Sequence, residues 1–451
     1  MKRKQRNSGA HPANGCFTAI IILLALILNL SLPGNTYAQG RCLIVSDIHL
    51  NPFFTTDGNY GINNELVQKL SAAKADEWGE ILDNYAAKTI DSNLRGHDSN
   101  YPLLISALDN MYLAVKRPDF IIIAGDFIWH NNPADTALKQ KSIQFIAGLF
   151  HKKFPGVPII PTLGNNDSNN DYEKQSPQFL QNFASAWQLE KQNADTALFK
   201  SRGYYTATIG KLRFVVLNTS LVSKNSVAMG YNYYNDGYAM VNDWLKKELT
   251  DTINKVWIIS HIPPGTNGFD GKPMWMTGGP KGDLSAMFTG TVVNNSRQVE
   301  FMIASHTHFN DFRVFYPGTS TIADSAAAYM RIVPSIGMDH RNNPSFEIAD
   351  FDGAYHVTKE TNYYLDLSKL TGKEEPTKLK WSDMVSLNNF TAKRKIDAKT
   401  LSNLVDKMLS QSKIRTYYDQ FYGAGHPTGA FTNPVKYPAY LKAEKQNRAS
   451  Q

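Results

Sequence analysis

The sequence predicts an α/β layered sandwich followed by a small helical C-terminal subdomain. Three observations carry that expectation. Between Arg41 and about Leu365, short apolar runs of strand length alternate with segments of helical periodicity. Five of those runs end in Asp, Asn or His, the residue types that ligate hard or borderline metal ions. Past a polar stretch with Gly and Pro, Thr371 to Pro376, the apolar spacing becomes purely helical.

In chain order, residues 1–38 read as a signal peptide. Lys2, Arg3, Lys4 and Arg6 form a basic head, Phe17 to Leu32 an apolar core, and Thr36-Tyr37-Ala38 a small-residue cleavage site. A retained anchor is the alternative, but the apolar run is shorter than the ~20 residues that a span needs. Export to a periplasm or secretion is therefore expected. Losing the four leader cations reduces the formal charge from +7 to +3, so no nucleic-acid partner is evident. Cys16 falls in the leader, which leaves Cys42 without an internal disulfide partner.

Residues 39–370 form the main predicted domain. Cys42 to Val45 is a strand ending in Ser46-Asp47-Ile48-His49, and Phe120 to Ile123 is one ending in Gly125-Asp126. Ile159 to Thr162 leads to Gly164-Asn165-Asn166-Asp167, Val256 to Ile259 to Ser260-His261, and Phe301 to Ala304 to Ser305-His306-Thr307-His308. Helices are expected over Tyr101–Val115, Leu138–Phe150 and Tyr238–Leu249, and a hairpin over Gly203–Leu217 around Gly210-Lys211. In residues 371–451, Asp397 is a plausible N-cap for a helix that carries Leu401, Leu404, Val405 and Met408 on one face. Ligands at the carboxyl ends of core strands converge on one sheet edge, where α/β proteins place their sites.

The order Asp-x-His, Gly-Asp, Gly-Asn, His, His-x-His resembles the binuclear metallophosphoesterases of the calcineurin-like superfamily. Further motifs narrow the resemblance to the acid sphingomyelinase-like branch: Asp119 to Asp126 with His130 four residues on, His261-Ile262-Pro263-Pro264-Gly265, Asn343-Pro344-Ser345-Phe346 and Tyr363 to Leu367. The resemblance implies a layered metallophosphoesterase sandwich of two packed mixed β-sheets flanked by helices. It also implies that Asp47, His49 and His308 hold one metal ion, that Asp126 bridges, and that Asn165, His261 and His306 hold the second. Two divalent ions are implied, zinc first, with manganese, iron or magnesium as alternatives. Such a pair neutralises phosphoryl oxygens and supplies a hydroxide nucleophile near neutral pH.

Two residues carry the expected catalysis. Asn166 stands where most members of the superfamily have a histidine; an amide donates a hydrogen bond but cannot pass a proton. Its Gly-Asn-Asn-Asp setting is similar to the motif of fungal endopolyphosphatases. His130 aligns with a position that acts as leaving-group acid, or else is a structural histidine bonded to a metal ligand. His97, His151, His340, His356 and His426 match no ligand position and read as surface or satisfied histidines.

The resemblance implies a hydrolase of phosphodiester or phosphoanhydride bonds acting on small-molecule or polymeric substrates: nucleotides, polyphosphate or a choline phosphodiester. The alternatives are a sphingomyelin or phospholipid headgroup phosphodiesterase, with transient membrane-surface contact, and a catalytically weakened binding protein on the same scaffold. Nothing in the sequence bears on oligomeric state.

Overall fold

The apolar runs form the strands, and the strands form two sheets. The computed structural model describes Met1 and residues 40–449, except 56–59, 131–135, 251–252, 385, 392–395 and 446. Beyond Met1, the signal peptide expected over residues 1–38 lies outside the described residues. Strands β1 (Gly40–Val45), β2 (Phe120–Ile123) and β3 (Ile159–Pro161) are parallel neighbours, with Cys42 beside Phe120 and Ile121 beside Ile159. Being covered on both faces, they read as unbroken apolar runs. Pro161, which has no N–H to give a ladder, sits in the edge strand.

The second sheet takes β4 (Tyr205–Ile209), β5 (Leu212–Val216), β6 (Lys255–Ile259), β7 (Val299–Ala304), β8 (Asp311–Tyr316) and β9 (Ala328–Ile332). The chain then returns to the first sheet with β10 (Ser345–Phe351), β11 (Val357–Tyr364) and β12 (Ser382–Met384), and β13 (Asn447–Arg448) closes the second. The strand orders are β12-β11-β10-β1-β2-β3 and β13-β8-β9-β7-β6-β5-β4. Both sheets are mixed: β1 runs parallel to β2 but antiparallel to β10, and β6 runs parallel to β5 and β7 while β4 and β5 are antiparallel. The expected hairpin is β4–β5, turned at Gly210 with a left-handed φ of 60°.

The sheets face each other through Phe120, Phe214, Trp257 and Phe351. Phe120 packs edge-on to Phe214 at 5.0 Å and to Trp257 at 5.5 Å between ring centroids. Large aromatic rings bury much apolar area and lock the layers in register. The expected helices appear at Tyr101–Ala114, capped by the Asn100 side chain, and at Thr136–Lys153. The third begins at Tyr234 and runs to Thr250, with wide turns over Ala239–Leu245. In the tail, Asp397 accepts a 2.7 Å hydrogen bond from Thr400 N and opens the helix Ala398–Ser410. Its Leu401, Leu404, Val405 and Met408 are buried. The tail is joined to both sheets, since it supplies β12 to one and β13 to the other. No described helix is long and apolar enough to cross a membrane.

Candidate metal centre

The five segments leave β1, β2, β3, β6 and β7 at their carboxyl ends and meet at one edge of the sandwich. To turn there, the backbone adopts left-handed φ at Asp47 (45°), His49 (42°), Asp126 (55°), His306 (69°) and His308 (66°). Each such non-glycine residue costs about 1–2 kcal/mol. Strain concentrated at one edge is the mark of a working site. Two glycines let the turns approach. A Cβ on Gly125 would lie 2.7 Å from Gly164 N and 2.9 Å from His261 Nδ1, and one on Gly164 would overlap the Asp126 carboxylate and amide. This is why Asp126 and Asn165 are each preceded by glycine.

Asp167, the last residue of Gly-Asn-Asn-Asp, joins two of the turns. Its buried carboxylate accepts from Asp126 N (2.8 Å), Phe127 N (2.9 Å) and Gly164 N (2.8 Å). Burial and the nearby Asp126 charge push its carboxyl up to about 7. Asn166 bonds the side chain of Asp126: its backbone N donates to Asp126 Oδ1 at 2.8 Å and its Nδ2 to Oδ2 at 3.0 Å. The Asn166 amide thus orients Asp126.

The histidines are oriented from behind. His49 Nδ1 meets the Ile128 carbonyl at 3.0 Å, His261 Nδ1 the Ala124 carbonyl at 2.8 Å, and His308 Nδ1 the Asp339 carboxylate at 2.8 Å. The carbonyl acceptors of His49 and His261 assign the proton to Nδ1 and leave Nε2 with a lone pair. The Nε2 atoms converge. His49 Nε2 lies 3.2 Å from His308 Nε2. His261 Nε2 lies 3.0 Å from Asn165 Oδ1 and 3.1 Å from Asp126 Oδ2. Asp47 Oδ1 is buried without a hydrogen-bond partner, 3.5 Å from His308 Nε2. Asp126 Oδ2 is also 3.5 Å from His49 Nε2, so it stands between the two groups.

The residues therefore gather as Asp47, His49 and His308 on one side and Asp126, His261 and His306 on the other, with ligand atoms within 4.8 Å of one another in each group. Asn165 adds its oxygen to the second group. Lone pairs converging with no proton between them fit divalent cations, and a mixed N/O set suits zinc, manganese or iron. Without a cation, protons take up the imbalance. Burial disfavours the imidazolium of His261, but Asp126 and Asp47 outweigh it and lift the ring to about 9. Burial and neighbouring histidines push His49 and His306 well below the ordinary range. Burial raises Asp47. For Asp126 burial is outweighed by His261 and His49, which hold it well below the usual carboxylate range.

All nine residues singled out in the sequence come to this edge, including His130. Its ring stacks on His49 at 4.0 Å between centroids, and its Nδ1 bonds Asp98 at 2.7 Å. Its partner is thus a carboxylate outside both ligand groups. Burial works against its charge, yet Asp98 and then Asp339 raise it to about 9.

Asp98, Asp339, Asp171 and Tyr172 escaped the sequence reading. Asp339 holds both His308 and His340, Asp171 accepts from Asn165 Nδ2 at 2.8 Å, and Tyr172 places its hydroxyl 3.5 Å from His306 Nε2. The only local signal was the proximity of Asp171 and Tyr172 to the Asn165 turn. His340 and His426, read as surface or satisfied histidines, line the cleft above the centre. That cleft has a volume of about 660 Å³. In the loop after His261, Asn267 and Phe269 also line the cleft, while Trp275 is fully buried and donates to the Ile262 carbonyl at 3.0 Å.

Residues 40–310 match the family described as calcineurin-like phosphoesterase. The chain is similar to the mouse protein named acid sphingomyelinase-like phosphodiesterase 3b, at 26% identity over 78% of this chain and 77% of that one. It is 25% identical to Dictyostelium discoideum sphingomyelinase phosphodiesterase D over 89% of this chain and 92% of the relative. Bovine cyclic GMP-AMP phosphodiesterase SMPDL3A is 24% identical over 88% and 86%. Among solved structures, PhoD aligns with a TM-score of 0.37 at 10% identity, covering 83% of this chain and 79% of that one.

Proposed function

The chain belongs to the calcineurin-like phosphoesterase family, and on that premise we propose an exported two-metal hydrolase of phosphodiester or phosphoanhydride bonds. Asp47, His49 and His308 would hold one divalent ion, Asn165, His261 and His306 the other, and Asp126 both. Zinc suits these donors, with manganese, iron or magnesium as alternatives. The observation that carries the reading is the convergence of Nε2 atoms: His49 and His308 face each other at 3.2 Å, with His49 Nδ1 bonded to the Ile128 carbonyl and His308 Nδ1 2.8 Å from the Asp339 carboxylate. Bound there, the ions would supply Lewis acidity and a nucleophile at neutral pH.

The chain's own groups act around that pair. Asn166 holds the Asp126 carboxylate through two donors and offers an amide edge to the cleft. His130, kept cationic by Asp98, has its Nε2 proton free to pass to a departing oxygen, since Asp339 is 4.0 Å away. Phosphate and nucleotide leaving groups, already stable anions, depend least on that proton. Asp126→Asn is expected to abolish turnover on bis(p-nitrophenyl) phosphate and lower metal content measured by plasma emission. Full activity of metal-stripped protein would overturn the proposal.

A second reading, a choline-headgroup phosphodiesterase, is favoured by the relatives named as sphingomyelin phosphodiesterases. Release of phosphocholine from sphingomyelin vesicles at rates above those on ATP would establish it.

A further inference from the structure

Three buried tyrosines close their hydroxyls on acceptors. Tyr60 donates to Asp91 at 2.7 Å, Tyr205 to the Pro161 carbonyl at 2.7 Å and Tyr234 to the Gly282 carbonyl at 2.7 Å. A buried phenol ordinarily hands its proton to such a group. Tyr172 departs from this. It is 8% exposed and lines the cleft beside the second ligand group. Its close partner is a donor: Asn225 Nδ2 gives its hydroxyl a hydrogen bond of 2.9 Å. The other neighbour is His306 Nε2 at 3.5 Å, at the outer edge of hydrogen-bonding distance.

The chain holds Tyr172 in place against its own preference. Its backbone takes a left-handed φ of 58°, which a ring-bearing residue adopts only under constraint. Its N–H donates to the Asn165 carbonyl at 2.9 Å, tying it to the turn that carries a ligand of the second group. Its carbonyl accepts from Ser226 at 3.4 Å, and its ring stands edge-on to His306 with 83° between the planes. Asn225 and Ser226 belong to the short helix Lys224–Ala228, where Ser223 caps Asn225 N at 3.2 Å. Suppose that His306 ligates. Through Nδ1, it keeps the proton on Nε2 and is a second donor to the hydroxyl. Through Nε2, it has spent the lone pair that could take the phenolic proton. Either way that proton has no acceptor among the described residues.

Resting on the two-metal phosphoesterase reading, we infer that Tyr172 is a catalytic residue whose hydroxyl donates to a non-bridging phosphoryl oxygen of the bound substrate, on the side of the second ion. Asn225 positions it by filling a lone pair from behind, which directs the proton into the cleft. His130 belongs to the other side, stacked on His49 of the first group. No bond to Tyr172 forms or breaks. The hydrogen bond strengthens as negative charge gathers on the phosphoryl oxygens, and a donor oriented beforehand at such charge lowers the barrier.

The test uses the full-length chain loaded with zinc. Tyr172→Phe keeps the ring and removes only the hydroxyl. It should hold zinc in wild-type amount by plasma emission and lower kcat on bis(p-nitrophenyl) phosphate roughly 100-fold, with KM near wild type. The calorimetric Kd of orthovanadate should rise roughly tenfold, the loss of one hydrogen bond to a charged group. Asn225→Asp puts an acceptor where the donor was, which takes the phenolic proton. It should cost as much as Tyr172→Phe alone and little more in the Tyr172→Phe background. Losses that add in full, or an orthovanadate Kd unchanged by Tyr172→Phe, would overturn the inference and leave the phosphoesterase reading standing. Zinc lost from Tyr172→Phe would make the tyrosine a prop for His306 and overturn it as well. Hydroxyl-dependent orthovanadate binding by a chain with no turnover on any phosphoester would sustain the contact and remove the phosphoesterase reading instead.

Discussion

Two buried polar clusters in this molecule solve the same electrostatic problem in opposite ways. One is Arg331 of β9 with Glu347 of β10 and Glu360 of β11, all essentially without solvent exposure. The guanidinium has five N–H donors, and all are used. Nε donates to Glu360 (3.0 Å), Nη2 to Glu347 (2.7 Å) and Asn310 (2.6 Å), and Nη1 to the carbonyls of Asp311 (2.8 Å) and Ile332. Two carboxylates face one cation, so Glu360 keeps a proton. Burial first, then the Glu347 charge, pushes it up to about 8.

The other cluster is the strand-end centre. Asp47 and Asp126 are equally buried, but their ion-pair partners among the described residues are histidines only. Two of those histidines, His49 and His261, have spent Nδ1 on backbone carbonyls. The first cluster contains its own cation and serves as mortar between the sheets. The second has a donor set that fits a cation supplied from outside. A buried carboxylate paired to an internal cation reads as structure, and one surrounded by lone pairs reads as a metal site.

That contrast can be broken in several ways. The largest expected effect is Arg331→Met, which leaves Glu347 and Glu360 buried without their cation and should cost about 3–5 kcal/mol in urea unfolding. Added zinc should not restore it. If zinc did, the two clusters would not be independent.

Chelation should act only on the strand-end centre. A metal bound at 100-fold over its Kd contributes about 2.7 kcal/mol, so EDTA should lower the melting temperature and zinc restore it. Gly164→Ala should mimic chelation and cost about 1–3 kcal/mol by overpacking. An alanine variant with normal metal content would show that the Gly164 approach is not required.

A smaller effect tests the self-contained cluster by pH. Glu360 takes up its proton more readily folded, at about 8, than unfolded, near the ordinary glutamate value of 4.5. The native state therefore binds more protons between those values, and stability falls as pH rises through the window. One proton caps the slope at about 1.4 kcal/mol per pH unit. Glu360→Gln should flatten it, and an unchanged pH profile would show that Glu360 is ionised in the fold.

The smallest effect expected is on the centre's chemistry. Asn166→His should raise turnover of substrates with alkoxide leaving groups, relative to ATP, by about tenfold, which is ~1.4 kcal/mol in barrier. No change in that ratio would confine Asn166 to orienting Asp126.

Much of the centre was legible because its ligands are local to strands. An apolar run specifies a buried strand, the residue after it must leave the sheet at a fixed edge, and glycine before Asp126 or Asn165 marks a turn too tight for a side chain. Five such segments in order therefore pointed to the layered fold and the shared edge, and the grouping of the ligands came from the family resemblance that their order carries. Asp98 and Asp339 carried no comparable signal. Asp98 reaches His130 across 32 positions, and Arg331 reaches Glu360 across 29. Such contacts depend on how loops and the C-terminal helices fold back over the strand ends. Strand periodicity is blind to that folding, and only the packed tertiary structure decided which charges meet and which remain without a partner.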